Sequence, residues 1–299
     1  MKPIRALVTG ATGFLGNRLL DHLKDPVVLT RNPVRARSRL GSVETFAWNP
    51  LDEPAPARAF EGVDAVFNLL GEPISGRWTD AKKEAIRESR VQGTSHLVAG
   101  MGAADTPPSV LVSVSAVGYY GDRGEEDLTE ASGPGEGFLA GVCTAWEAAA
   151  YRAEELGVRV VTPRIGLVLG REGGALAALR PIYRSGLGGP LGSGRQYWPW
   201  VHVEDVIGLL LWVARTPSLS GAVNVAGPEP ATNREISRAL GRALRRPAVL
   251  PVPGFALRLV VGEFAGDLLA SQKVVPAAAL DHGFAFRFAD HRVAVAEAI

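Results

Sequence analysis

No lysine occurs between Lys83 and Lys273, and cysteine occurs once, as Cys143, in this chain of 299 residues. A lone thiol excludes an intrachain disulfide and a cysteine-built metal cage, which fits a reducing compartment. The five histidines, His22, His96, His202, His282 and His291, lack ligand spacing, so no metal is expected. No apolar run reaches the ~20 residues of a membrane-spanning helix. The net charge is +1 and no long run carries one sign, so neither nucleic acid nor a membrane surface is an expected partner. The opening "MKPIRALVTG" enters a strand-like run at once and leaves no room for a signal peptide, which makes the cytoplasm the expected location.

What is present is the composition of a globular protein. Apolar residues make up 46% and charged residues 21%, enough to bury a core. The length suits one large domain with a smaller appended lobe. Short β-rich runs alternate with helical ones: strands at Ile4–Thr9, Pro26–Thr30, Val43–Trp48, Asp64–Leu70, Ser109–Ser115 and Val158–Pro163. A helix is expected over Phe14–Lys24. A long one, capped by Thr79 or Asp80, should run towards Met101. This alternation predicts an α/β fold, a Rossmann-like doubly wound parallel sheet. The expected division is a nucleotide-binding domain over 1–170, completed by 203–228, and a mainly helical substrate lobe over 171–202 and 229–299.

Between the first strand and first helix lies "TGATGFLG", with Gly10, Gly13 and Gly16 spaced as G-x-x-G-x-x-G. Glycines there permit a tight turn and close approach to a pyrophosphate, and the helix start offers N–H donors. The contacts expected are Gly10, Thr12, Gly13, Phe14, Leu15 and Gly16. The second strand ends in "LTRNPVRAR", without the carboxylate that would bind the ribose hydroxyls of NAD. Arg31 can clamp a 2′-phosphate instead, so NADP(H) is favoured over NAD(H). After the fourth strand, Leu70 and Gly71 should border the adenine–ribose path, while Asn68 suits a structural hydrogen bond. The Gly- and Trp-rich loop from Gly186 to His202 should roof a substrate pocket through Arg195, Gln196, Trp198, Trp200 and His202, with Trp78 from an earlier loop. The same tryptophans would equally suit an interlobe core, and His202 and Asp205 suit structural duties at a helix start.

These segments, "VTGATGFLG", "NLLGEPISGRWT", "SVSAVGYYGDRGEE", "AWE" and "GLGGPLGSGRQYWPWVHVED", together resemble the extended short-chain dehydrogenase/reductase superfamily, and within it an atypical epimerase-like group. The resemblance covers nearly the whole chain. It implies a serine after strand five, best matched by Ser115 with Ser113 beside it, and a Tyr-x-x-x-Lys pair on the next helix. In that pair the lysine lowers the tyrosine pKa for proton exchange. Counting back from Glu147 puts Leu139 and Cys143 in those two slots, and no neighbouring register restores the pair. Cys143 has no adjacent base and reads as a packing thiol, while Trp146 and Glu147 read as anchors of the helix. Tyr119 and Tyr120 are candidate replacement acids, though Tyr120 also matches a structural tyrosine of the family's "YG" pair. Arg164 opens "RIGLVLG", which resembles the segment passing the nicotinamide. The function expected is an NADP(H)-binding oxidoreductase or epimerase-like protein, acting on a small organic or sugar-like substrate by a non-standard acid–base route. The alternative is an NADPH-binding sensor that reports to a protein partner with little turnover. The sequence leaves a homodimer open and names no substrate.

Overall fold

The computed structural model describes residues 4–299. Seven strands form one parallel sheet: β1 (Ala6–Thr9), β2 (Val27–Thr30), β3 (Glu44–Ala47), β4 (Ala65–Asn68), β5 (Val110–Ser113), β6 (Arg159–Ile165) and β7 (Gly221–Val225). Their spatial order is 7-6-5-4-1-2-3. All neighbours pair in parallel, with β1 between β2 and β4. The strand order therefore reverses between β1 and β4, the crevice where doubly wound sheets bind ligands. The two-residue strand Ser115–Ala116 continues past β5 and pairs with Arg164 and Ile165 of β6.

Both faces of the sheet are covered, so its strands are apolar on alternate residues in both directions. Ala6, Val8, Val28, Phe67 and Val112 pack against Leu19 of α1 (Phe14–Leu20) and against Val206, Leu209 and Leu210 of α6 (Val203–Arg215). On the opposite face, Leu7, Val27, Val66, Leu111 and Val160 pack against Leu97, Val98 and Met101 of α3 (Asp80–Gly102), and α4 (Phe138–Tyr151) adds Ala150. Each fully buried aliphatic side chain in these layers contributes about 1.5–3 kcal/mol relative to exposure. Thr79 caps α3, its Oγ1 accepting the Lys82 N–H at 3.2 Å. The helix expected over Phe14–Lys24 ends earlier, at Leu20.

The helix α2 (Pro33–Leu40) falls where none was singled out, and α5 (Gly174–Arg184) lies in the 171–202 part of the lobe expected to be mainly helical. The tail supplies α7 (Asn233–Leu244), α8 (Gly254–Val261), α9 (Phe264–Leu269), α10 (Ala277–Asp281) and α11 (His291–Glu297). A separate apolar cluster joins Leu176 and Tyr183 of α5, Trp198, Trp200, Ile236 and Leu240 of α7, and Val295 of α11. The tail also returns to the sheet side of the molecule. Lys273–Val274 pairs in parallel with Asp127–Leu128. Asp205 in the first turn of α6 accepts the backbone N–H groups of Arg287 at 2.7 Å and Phe288 at 3.0 Å. His202 caps the same helix, its Nδ1 accepting the Glu204 N–H at 3.2 Å, and burial lowers its pKa.

Candidate functional site

A cleft of about 450 Å³ opens at the carboxyl ends of β1, β2 and β4. Its walls include Gly10, Thr12, Gly13, Arg31, Leu70 and Gly71, so six sequence-selected residues meet there. Gly10 has φ +66°, and a Cβ on it would run into the Leu69 carbonyl. Gly13 is exposed, and its N–H closes the turn on the Gly10 carbonyl at 2.9 Å. As N-cap of α1 it brings no capping side chain, which leaves first-turn N–H groups open at the cleft wall. Arg31 is exposed at the end of β2 and makes no ion pair among the described residues. The loop after β3 adds Trp48, Asn49, Pro50 and Leu51, which sequence reasoning passed over. The signal available was position alone, a loop at the same edge of the sheet.

The other cofactor candidates lie outside the lining of the cleft, each held by its packing. The Phe14 ring lies where side chains on Gly170 or Gly173 would stand, and Leu15 packs on the core, so both can reach the cleft only through their backbone. Gly16 is buried against Gly10, where a Cβ would collide. The Ser113 hydroxyl accepts the Asn68 amide at 3.0 Å within a buried network. In it, Asn68 also donates to Thr94 at 2.9 Å and accepts from Thr9 at 2.8 Å, and Trp146 Nε1 donates to Thr94 at 3.0 Å. Satisfied buried networks of this kind fix one arrangement of strand ends and helices.

Arg164 also lies outside that lining. It is 4% exposed and forms a bidentate ion pair with Glu147, at 2.8 and 2.9 Å. Its remaining amine donates to the Tyr120 hydroxyl at 3.0 Å, and its guanidinium stacks 3.5 Å from the Tyr119 ring centroid. Burial works against its charge, but the Glu147 carboxylate outweighs that and leaves its pKa raised. Every edge of the guanidinium is thereby committed inside the fold.

Tyr120 cannot serve as the replacement acid from this position. It is fully buried, its hydroxyl lies 2.7 Å from Asn224 Oδ1 and 3.0 Å from the Thr129 carbonyl, and burial raises its pKa. Tyr119 differs: it is half-buried, and its hydroxyl has no partner among the described residues. Ser115 is 3% exposed, and its Oγ has no hydrogen-bond partner among the described residues. Cys143, in the slot of the missing lysine, is buried, and its thiol is pushed up to about 11, chiefly by burial and then by Glu147. At neutral pH it is a protonated packing group.

Five of the six substrate candidates, Trp78, Gln196, Trp198, Trp200 and His202, are interior residues. Trp78 packs between Phe138 and Phe264, with ring centroids at 5.1 and 5.4 Å, and donates to the Ile74 carbonyl at 2.7 Å. Trp200 is 1% exposed and donates to the Glu229 carbonyl at 3.0 Å. Gln196 is buried and donates to the Leu191 carbonyl at 3.0 Å. Trp198 is likewise tied to the Leu268 carbonyl, at 3.1 Å. Arg195 alone of the six is exposed. Among the described residues there is no cluster of metal-ligating side chains, and no helix is long and apolar enough to cross a membrane.

Comparison with known proteins places this geometry. Residues 6–227 match the profile of the NAD dependent epimerase/dehydratase family, and residues 252–298 match a domain of unknown function, DUF1731. The chain is 41% identical over 287 residues to the chloroplastic epimerase family protein SDR39U1 homolog of Arabidopsis thaliana, covering 94% of this chain and 82% of that protein. It is 40% identical over 296 residues to the epimerase family protein Mb2239 of Mycobacterium bovis, covering 98% of this chain and 95% of that protein. The crystal structure of human epimerase family protein SDR39U1 (isoform 2) with NADPH superposes with a TM-score of 0.88 at 33% identity, covering 99% of each chain.

Proposed function

The chain belongs to the NAD dependent epimerase/dehydratase family, and from that premise we propose that it binds NADPH across the β1–β4 crevice and acts on a small organic or sugar-like substrate without the usual tyrosine–lysine pair. The observation that carries the cofactor reading is Arg31. It stands unpaired on the cleft wall beside the Gly10–Gly13 turn, where a carboxylate would otherwise select NAD. The human relative crystallised with NADPH supports it. When bound, NADPH supplies a hydride from its nicotinamide ring. The chain's own part is to hold the phosphates on the turn and first-turn N–H groups, and to hold the 2′-phosphate on Arg31.

Two results test this. Removing one charge-assisted phosphate contact costs about 1.5–3 kcal/mol, so Arg31→Ala should weaken NADPH binding about tenfold to a hundredfold and leave NADH nearly unchanged in calorimetry. Equal wild-type affinity for NADH and NADPH would sink the preference. Gly13→Val should abolish NADPH binding while retaining the melting temperature to within a few degrees. Gly13 is exposed, and only the Gly10 carbonyl stands near a Cβ added there, at 3.1 Å. Normal affinity in the folded variant would put the phosphates elsewhere.

A second reading, an NADPH-binding sensor with little turnover, draws on a different observation. Leu139 and a protonated Cys143 occupy the acid–base slots, and Tyr120 is sealed in the interior. Tyr119, with its free hydroxyl, and Ser115 are then the side chains left to an oxidoreductase reading. Turnover separates the two.

A further inference from the structure

We infer that Arg90 of α3 supplies, from the neighbouring helix, the positive charge that α4 lacks, and that it holds the ribose–phosphate oxygens of the nicotinamide half of the dinucleotide. This rests on the NADPH-binding reading above. Four observations lead to it.

The first is position. A Cβ on Gly71, a residue of the cleft wall, would stand 2.9 Å from Arg90 Nη2, so the guanidinium lies directly behind the chain that follows β4. Its neighbour Ser89 lines the cleft and accepts the Glu72 N–H at 3.0 Å, tying that loop to α3. The second is proximity to the empty slot. Arg90 packs across the α3–α4 interface on Trp146, which lies on the helix that carries Cys143, and its charge acts to lower the pKa of that thiol against the effect of burial.

The third is rigidity. Arg90 Nη1 donates to the carbonyls of Glu72 at 3.0 Å and Ile86 at 3.1 Å. Its Cζ lies 5.1 Å from the ring centroid of Trp146, an indole itself fixed by Thr94. The fourth is the unanswered charge. Arg90 is partly buried, yet it joins no ion pair among the described residues, because the nearby Glu72 carboxylate is taken by Lys82 at 2.6 Å. Nε and Nη2 have no acceptor among the described residues. A partly desolvated guanidinium with two idle donors, set beside Gly71 and Ser89 of the cleft wall, calls for an oxygen-rich partner.

The side of the cleft selects the half of the ligand. A dinucleotide bound at the switch point lays its two halves over the two halves of the sheet. Arg31 follows β2 on one side of β1. Arg90 backs the loop after β4 and faces α4, on the other side.

The test titrates purified full-length protein with two ligands, NADPH and adenosine 2′,5′-bisphosphate, the latter lacking the nicotinamide ribose and its phosphate. Arg90→Gln should weaken NADPH binding about tenfold to a hundredfold, the range of one charge-assisted contact, and leave the bisphosphate within about twofold. Arg90→Lys should retain part of the NADPH affinity, because the charge remains, and it serves as the folded comparison should the glutamine variant melt early. Arg31→Ala should weaken both ligands. Unchanged NADPH affinity in Arg90→Gln would overturn the inference, as would an equal loss for both ligands. Absence of NADPH binding by the wild type is a separate result, and it would remove the cofactor reading itself.

Discussion

Glu147→Ala should destabilise the protein by about 3–5 kcal/mol, the loss seen when one partner of a buried ion pair is removed. Arg164 would then sit in the interior with a full charge and, at 4% exposure, no water to replace the lost carboxylate. Its remaining contacts, the Tyr120 hydroxyl and the Tyr119 ring, do not neutralise it. Domains are stable by only about 5–15 kcal/mol, so the loss takes a large share of what holds the fold. Urea denaturation with an unchanged m-value is the measurement. A loss under about 1 kcal/mol would mean that water reaches Arg164 and that the pair is not buried in solution. Replacing both partners with apolar residues, as in Glu147→Leu with Arg164→Met, should recover much of the deficit, because neither charge is then left behind.

Carbonyl reduction by the wild type should be weak despite clear NADPH binding. General acid–base catalysis contributes about 10²–10⁴-fold, and the helix that would carry it presents Leu139 and Cys143. Stopped-flow oxidation of NADPH over a panel of aldehydes, ketones and sugar nucleotides should therefore show negligible turnover. Cys143→Ala should change whatever activity exists by less than a few-fold, since its thiol, at about 11, carries almost no thiolate at neutral pH. Tyr119→Phe is the informative variant. Fast wild-type turnover abolished by that change would identify a relocated acid and remove the sensor reading. Tyr120→Phe reports on something else. It strips hydrogen-bond partners from Asn224, Thr129 and Arg164, so its effect should appear in the melting temperature. Fast turnover lost with Cys143→Ala would show the thiol to be active, against its buried setting.

The sheet and the glycine turn were readable from the chain because their causes are local. Continuous apolar strands need no partner to be recognised, and Gly10 and Gly13 are spaced by the turn they make. Thr79 was readable as a cap because its acceptor duty lies three residues ahead. Other features depend on contacts that no local spacing encodes. Arg90 matters because α3 folds against the loop after β4, a meeting set by tertiary packing. Glu147 was legible as an anchor, but its partner Arg164 stands on β6, and no spacing in the sequence announces the ion pair between them. The tryptophans were ambiguous for a chemical reason. An indole that faces a sugar and one that faces a core use the same surface, and only the carbonyls bound to Trp78, Trp198 and Trp200 tell them apart.

The returning tail changes where this protein can be divided. The two family matches, 6–227 and 252–298, suggest two modules that evolution could shuffle. Yet Asn224 of β7 is bonded at once to Tyr120, to the Leu128 carbonyl and, through its amide, to the Val275 carbonyl of the tail. The β-pairing at Lys273–Val274 and the Asp205 clasp on Arg287 and Phe288 add two more joints. Cutting the chain between the two matches would expose the apolar edges that Val274, Phe284 and Phe286 cover. The cooperative unit is therefore larger than either module, and inheritance of one part without the other would leave a nucleotide-binding sheet with its far edge unsealed.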